Sequence, residues 1–272
     1  MPPYFYLRSE LNMRILFIGD IVGSQGRHML QDNLTRLIEE KHVDFVIANG
    51  ENASGGFGLS QRSLRELADC GIDAFTMGNH TWDCKEIYNY IENERRLIRP
   101  ANLPPGTPGK GWRDFSVGGQ RLVVANVLGR TFMTPFDCPF RAMDEMLKTV
   151  SRKDAVILVD FHAETTSEKM AMGWYLDGRV SAVVGTHTHI QTNDARVLPK
   201  GTGYLTDAGM TGPRDSILGV EKETIIERYL TGVSSRFEVA SGDLQLNAVI
   251  FQTGEDNAAE AVELVNFWQP SL

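Results

Sequence analysis

Cysteine is scarce. Three in 272 residues, Cys70, Cys84 and Cys138, are too few and too scattered for a disulfide framework. Their spacing is also wrong for a thiolate zinc site. Such usage fits a reducing compartment, so a cytoplasmic location is expected. No apolar run approaches the length needed to cross a bilayer, and no membrane partner is expected. The opening stretch MPPYFYLRSELN lacks the long apolar region and small-residue cleavage site of a secretory signal. Basic side chains are in deficit, 27 against 35 acidic, for a net charge of -8. That argues against a general polyanion-binding surface and leaves room only for a local basic pocket. Two glycine-rich stretches, ENASGGFG and GSQGR, lack the lysine and spacing of a GxxxxGK[ST] loop and the dinucleotide fingerprint. No internal repeat and no long linker are present.

What is there is an ordinary globular composition, 42% hydrophobic and 23% charged. RILFIGD reads as a buried strand ending at Asp20, followed by a helix to about Lys41. VDFVIAN is a second strand. Ser60 is placed to cap the helix in SQRSLRELADCG, and IDAFTMGN is a third strand, with a helix expected over Ile87–Glu94. FSVGG and RLVVANVLG flank a hairpin turn, Phe140–Val150 reads as helix, and DAVILVDFHAE and VSAVVGTHTH repeat the strand-then-loop pattern. The tail suggests strands near Arg236–Val239 and Leu244–Phe251, then a helix over Ala258–Phe267. This alternation predicts an α/β protein: two packed mixed β-sheets flanked by helices, in four layers α/β/β/α. Residues 1–12 are read as an N-terminal extension and 13–272 as a single domain.

Five apolar runs end in polar residues with metal-ligand chemistry: Asp20, Glu51 with Asn52, Asn79 with His80, His162, and His187 with His189. Ligands carried at strand ends converge from distant points of a chain, the usual way an α/β sheet builds a site. Each has an ordinary alternative. Asp20 could cap the following helix, Glu51 could be a solvated loop carboxylate, Asn79–His80 a turn pair, and His162 a buried donor to a carbonyl. The pair His187-Thr-His189 is sharper: on a regular strand both rings would lie on one face, and if the strand has ended a tight loop can aim both inward. Imidazole suits zinc, iron and manganese, and carboxylate or amide oxygen adds harder ligands. The donors are too many for one tetrahedral site with an open position, whereas two ions sharing a carboxylate use them all and suit phosphoryl chemistry. His80 is then placed to protonate a leaving alkoxide. His42 reads as structural, and His28 as an exposed helix residue in a stretch close to Asp20. Glu164 is a candidate partner for His162, Ser167 or Thr166 a helix cap, Trp82 a possible base-stacking aromatic, and Arg214 a possible phosphate contact.

At GD (19–20), GNH (78–80), His162 and GTHTH (185–189) the chain resembles the calcineurin-like binuclear metallophosphoesterases. It departs from their usual pattern: Glu51 stands where a bridging aspartate is expected, Thr81 replaces a glutamate, and Thr186 interrupts the last glycine–histidine pair. The longer strings FIGDIVGSQGR, ANGENASGGFG, GNHTWD, RPANLP, DFHAETTSEK, GTHTHIQTND and GYLTDAGMTGP are similar to a narrower branch, the bacterial YmdB-like phosphodiesterases. The resemblance runs from about Met13 to the C-terminal strands.

That resemblance implies one ion on Asp20, Glu51, Asn52 and His189, and a second on Glu51, Asn79, His162 and His187. The ions would be iron, with manganese or another divalent metal as alternatives. It implies hydrolysis of cyclic nucleotides, foremost 2',3'-cyclic nucleotides to 3'-nucleotides, by attack of a metal-bridging hydroxide with His80 as general acid. An RNA end is a further candidate substrate, and a homo-oligomer is expected. The competing expectations are a phosphomonoesterase on the same site, or a nucleotide- or RNA-binding regulator with little turnover.

Overall fold

The computed structural model describes residues 12–234 and 236–271. The extension expected over 1–12 therefore lies, Asn12 apart, outside the described residues. In chain order the elements are β1 (Arg14–Ile18), β2 (Asp20–Ile21), α1 (Gly23–Lys41), β3 (Phe45–Asn49), α2 (Gln61–Asp69), β4 (Ala74–Thr76) and β5 (Leu97–Ile98). They continue with β6 (Trp112–Val117), β7 (Gln120–Leu128), α3 (Pro139–Leu147), β8 (Val156–His162), α4 (Thr166–Leu176) and β9 (Ala182–Thr186). The last are β10 (Arg196–Val197), β11 (Gly203–Leu205), β12 (Met210–Pro213), α5 (Lys222–Thr231), β13 (Leu244–Thr253) and β14 (Ala259–Gln269).

The strands form two mixed sheets. One runs β2-β12-β13-β1-β3-β4-β5 with β14 paired to β13; the other runs β10-β11-β9-β8-β7-β6. Strands β1, β3, β4 and β5 are parallel in the first sheet, as are β7, β8, β9 and β11 in the second. Period-two alternation builds three apolar layers from these runs. On β1, Ile15 and Phe17 meet Leu122, Val124, Leu158 and Val184 between the sheets, while Leu16 and Ile18 face Met29, Leu34 and Leu64 of α1 and α2. On β8, Ile157 and Val159 turn outward to Met143, Met146 and Met172 of α3 and α4. Strands apolar on both faces are what a doubly covered sheet requires. The expected four-layer α/β/β/α architecture is the observed one.

Local chemistry explains where elements begin. The Ser60 side chain accepts from the Ser63 N–H at 3.1 Å and caps α2 as the spacing predicted. Gly118 and Gly119, both at positive φ, make the tight turn joining β6 to β7.

Four local expectations are corrected. The segment 258–267 is not a helix but β14, in antiparallel register with β13 from Leu244↔Gln269 to Thr253↔Ala259. Ala261, Leu264, Val265 and Trp268 fall at helical spacing, while Val262/Leu264 and Val265/Phe267 fall at strand spacing. Local pattern left both periods open. The free edge of β13 decided between them, because pairing satisfies its backbone donors and acceptors. The helix expected over Ile87–Glu94 is one turn of 3-10 helix, Lys85–Asn89. Near Arg236–Val239 there is an isolated bridge, Val220↔Val239, in place of a strand. Helix α4 starts after Thr165 without a side-chain cap, so neither Ser167 nor Thr166 plays that part.

Candidate active site

The carboxyl ends of β1, β3, β4, β8 and β9 meet at one rim, and the chemistry-bearing side chains are there. Glu51 is buried two residues beyond β3, and its N–H donates to the Asn49 side chain at 3.1 Å. His162 ends β8, fully buried. Its Nε2 lies 2.9 Å from Glu51 Oε1, 2.9 Å from Asn79 Oδ1 and 3.0 Å from His187 Nδ1. Candidate ligand atoms of Glu51, His162 and His187 all fall within 4.8 Å of one another. Gly78 lies against this group, and a Cβ there would collide with Glu51 and His162. That close approach explains the glycine of GNH.

β9 stops at Thr186, and the two histidines after it leave strand geometry: His187 has φ 99° and His189 φ 63°. Positive φ is unfavourable for non-glycine residues and is kept where the surroundings hold it. Here the holder is Asp207. It pairs with buried Lys169 at 2.5 Å and accepts from the Thr188 N–H at 3.1 Å and its hydroxyl at 2.6 Å. The His187 N–H donates to Asp20 Oδ2 at 3.3 Å, and His189 Nε2 stands 3.7 Å from Asp20 Oδ1. Asp20 is buried on β2, and its Oδ1 has no hydrogen-bond partner. Asn52 Nδ2 donates to the Gly56 carbonyl, while its buried Oδ1 is likewise unpartnered.

Hydrogen bonds set the ring tautomers. The Thr186 hydroxyl donates to Asp160 Oδ1 at 2.7 Å, so it accepts from His162 Nδ1 at 2.9 Å. Nε2 of His162 is thereby aimed at the cluster. His189 Nδ1 faces the Leu218 carbonyl at 2.9 Å, which makes Nδ1 its donor and presents Nε2 toward Asp20. His187 Nε2 meets Glu164 at 3.0 Å, so Glu164 serves His187 and not His162. These outer contacts orient imidazoles as ligand-holding carboxylates and carbonyls do.

Burial and charge act strongly here. Burial opposes charge on Glu51, but the charge and hydrogen bond of His162, with help from His80, bring its carboxyl down to about 2. Burial would depress His162, yet Glu51, Asp20 and Asp160 raise it to about 9. Burial and the neighbouring His162 charge lower His187 to about 3. Burial pushes Asp160 up to about 7 and Asp20 upward as well.

His80 is half-buried at the rim. Its N–H donates to Glu51 Oε2 at 2.9 Å, its Nδ1 meets Asp83 at 2.7 Å, and its ring packs edge-on to Phe57 at 4.9 Å. With Nδ1 engaged, Nε2 is the nitrogen left for a ligand in the adjoining cavity, which His80, His187, His189, Glu51 and Asn52 all line.

Several residues of the site escaped sequence reading: Asn49, Asp83, Asp160, Thr186, Lys169 and Asp207. Two carried a usable signal. Asp160 and Asn49 stand two residues before His162 and Glu51, on the same face by strand alternation. Lys169 and Asp207 gave none, since their pairing joins α4 to the loop after β11. Trp82 stacks on Tyr88 at 5.1 Å and packs against the helix-side core, away from the cavity lining. Arg214 lies over the Trp268 ring at 4.3 Å and is not part of that lining.

The YmdB-like protein family matches residues 16–265. A 2',3'-cyclic-nucleotide 2'-phosphodiesterase of Bacillus subtilis is 52% identical over 252 residues, covering 93% of this chain and 95% of its own. A Thermus thermophilus crystal structure superposes with TM-score 0.90 at 47% identity, covering 95% of this chain and all of that one. The crystal structure of a phosphatase from Mycoplasma pneumoniae also reaches TM-score 0.90, at 35% identity and with coverage of 95% and 94%. Likeness of this extent means that the chain belongs to the YmdB-like family.

Proposed function

We propose that the chain hydrolyses 2',3'-cyclic nucleotides to 3'-nucleotides at a two-ion site. Asp20, Asn52 and His189 would hold one ion, Asn79, His162 and His187 the other, and Glu51 both. Kinship supports the class of reaction: 52% identity to a named phosphodiesterase makes the chain a phosphodiester-hydrolysing enzyme.

The observation that carries the reading is the crowd around His162 Nε2. Three acceptors, Glu51 Oε1, Asn79 Oδ1 and His187 Nδ1, lie within 3.0 Å of it. One proton serves one of them well, whereas a cation serves all four atoms. The buried, unpartnered Asp20 Oδ1 and Asn52 Oδ1 add two acceptors that a second cation would satisfy. This mixed imidazole, carboxylate and amide set suits iron, manganese or a related divalent ion.

Bound there, the ions would supply a water nucleophile at neutral pH and offset charge on phosphate oxygens. The chain's own residues supply the rest. Thr186 and Asp160 hold His162, the Leu218 carbonyl holds His189, and Glu164 holds His187, each with the required nitrogen turned inward. Asp83 fixes the His80 ring through Nδ1, so that Nε2 can deliver a proton to the ribose 2'-oxygen as its bond to phosphorus opens.

The test is turnover of 2',3'-cyclic AMP by the metal-loaded protein, with product resolved by chromatography. 3'-AMP is expected. His80→Ala should lower turnover by about 10²–10⁴-fold with metal content unchanged by mass spectrometry. A phosphomonoesterase reading has one observation behind it, the phosphatase name of the Mycoplasma pneumoniae relative. Higher efficiency on p-nitrophenyl phosphate than on the cyclic diester would establish that reading instead.

A further inference from the structure

The cavity beside the candidate ligands has a volume of about 280 Å³. One wall is the metal-candidate rim with His80. The others come from Phe57 on the glycine-rich loop, Ile217, Leu218 and Val220 ahead of α5, Tyr229 on α5, and Val239. Among the described lining residues there is no lysine or arginine, and apart from the rim and His80 the only ionisable carboxylate is Glu238, exposed at the edge.

The backbone of this wall is also largely consumed. Ile217 and Val220 exchange N–H···O bonds at 2.9 and 3.1 Å, the Gly219 carbonyl accepts from Ala240, and the Gly219 N–H donates to Ser216. The Leu218 carbonyl is taken by His189, and the Gly56 carbonyl by Asn52. The wall therefore offers surface and few fixed hydrogen-bond groups. A site that reads a base by its edge needs such groups, whereas stacking and apolar contact accept any base because every base has a π-face.

We infer that this cavity is a nucleoside pocket that holds the base by apolar contact against Phe57, Tyr229 and the 217–220 wall, with little discrimination among the four bases. The inference rests on the function proposed above and deepens it. Specificity then lies in the cyclic phosphate and ribose at the rim. The volume suits one nucleoside, small against typical ligand pockets of about 300–1,000 Å³.

The experiment is calorimetric titration of the metal-loaded protein with the four nucleoside 3'-monophosphates and with inorganic phosphate. It runs beside turnover of the four 2',3'-cyclic nucleotides and of glycerol 1,2-cyclic phosphate, the same five-membered diester without a base. All four nucleotides should bind within about fivefold of one another and at least about tenfold more tightly than phosphate. Phe57→Ala and Tyr229→Ala should each weaken nucleotide binding by about five- to tenfold with phosphate binding within about twofold, and Tyr229→Ala should also leave turnover of the baseless diester within about twofold. Phe57 touches His80, so Tyr229, with no such contact, separates loss of the pocket from a disturbed acid. Preference for one base by more than about thirtyfold, or nucleotide binding unchanged in both variants, overturns the inference. Loss of diester turnover with the nucleotide binding pattern intact would instead overturn the proposed reaction and leave the pocket standing.

Discussion

The two halves of the site are built differently. Around His162 the donors are close-packed: Glu51, Asn79 and His187 all lie within 3.0 Å of one nitrogen, and the Glu51–His162 ion pair balances charge in a fully buried place. Around Asp20 the arrangement is looser. His189 stands 3.7 Å away, and the buried Asp20 Oδ1 and Asn52 Oδ1 have no partner. In the first half a proton on His162 Nε2 serves one of three acceptors, and in the second Asp20 Oδ1 and Asn52 Oδ1 have no donor at all. A cation entering the first half must displace a proton, while one entering the second meets oxygens already waiting. Protons therefore compete with a cation at His162 Nε2 in the first half and, because burial raises it, at the Asp20 carboxyl in the second.

In the proposed two-ion site Glu51 serves both halves, so its loss should erase the contrast. Glu51→Ala is expected to lower diester turnover by about 10³-fold or more and to reduce bound metal below two ions per chain by mass spectrometry. In metal-free protein the same change strands a buried charged His162 and should cost about 3–5 kcal/mol in urea denaturation. Retention of two ions by the variant would refute a bridging role.

Lys169→Met should strike the turn that serves both halves. Asp207 would lose its buried partner while still accepting from Thr188, at a cost of about 3–5 kcal/mol in the same assay. A change below about 0.5 kcal/mol, the size expected for an exposed pair such as Arg62–Glu66, would mean that the pair does not hold the turn.

Thr186→Val sharpens the contrast, because it unties Asp160 from His162 and touches nothing in the Asp20 half. Affinity for one metal equivalent should fall about 10–100-fold in titration, with the other little changed.

The smallest effect is on pH dependence. Glu51 falls from 4.5 to about 2, so its contribution to metal-free stability is full above pH 4.5 and is lost as pH drops through 2. His162 rises from 6.5 to about 9, so its contribution is full below pH 6.5 and is lost as pH climbs through 9. The melting temperature of chelator-treated protein should therefore peak between pH 4.5 and 6.5 as far as this pair is concerned. Metal uptake near pH 7 should release about one proton, detectable by calorimetry in buffers of different ionisation enthalpy. A melting temperature that falls neither below pH 4.5 nor above pH 6.5 would contradict the assigned ion pair.

Much of this arrangement was legible in advance. Buried apolar runs such as Arg14–Ile18 and Val156–His162 announced strands, because few other local structures place successive side chains on opposite faces of a two-sided core. The polar residues that close those runs emerge at the carboxyl ends of neighbouring parallel strands in the two sheets. β14 was not legible, since its apolar spacing fits two periods and only the edge of β13 chooses. Asp83, three residues after His80, was present in the quoted GNHTWD string, yet its contact with Nδ1 depends on the turn that follows β4.

Sequence by itself determined the alternation that makes two covered sheets, and the identity and order of Asp20, Glu51, Asn79, His80, His162, His187 and His189. These follow from local periodicity and residue chemistry, which do not depend on distant partners. Tertiary structure alone decided which nitrogen of each histidine points inward, that Lys169 and Asp207 brace the turn at His187 and His189, and that apolar residues line the cavity beside His80. Those features are contacts between segments far apart along the chain, set by sheet register and by the burial of charge.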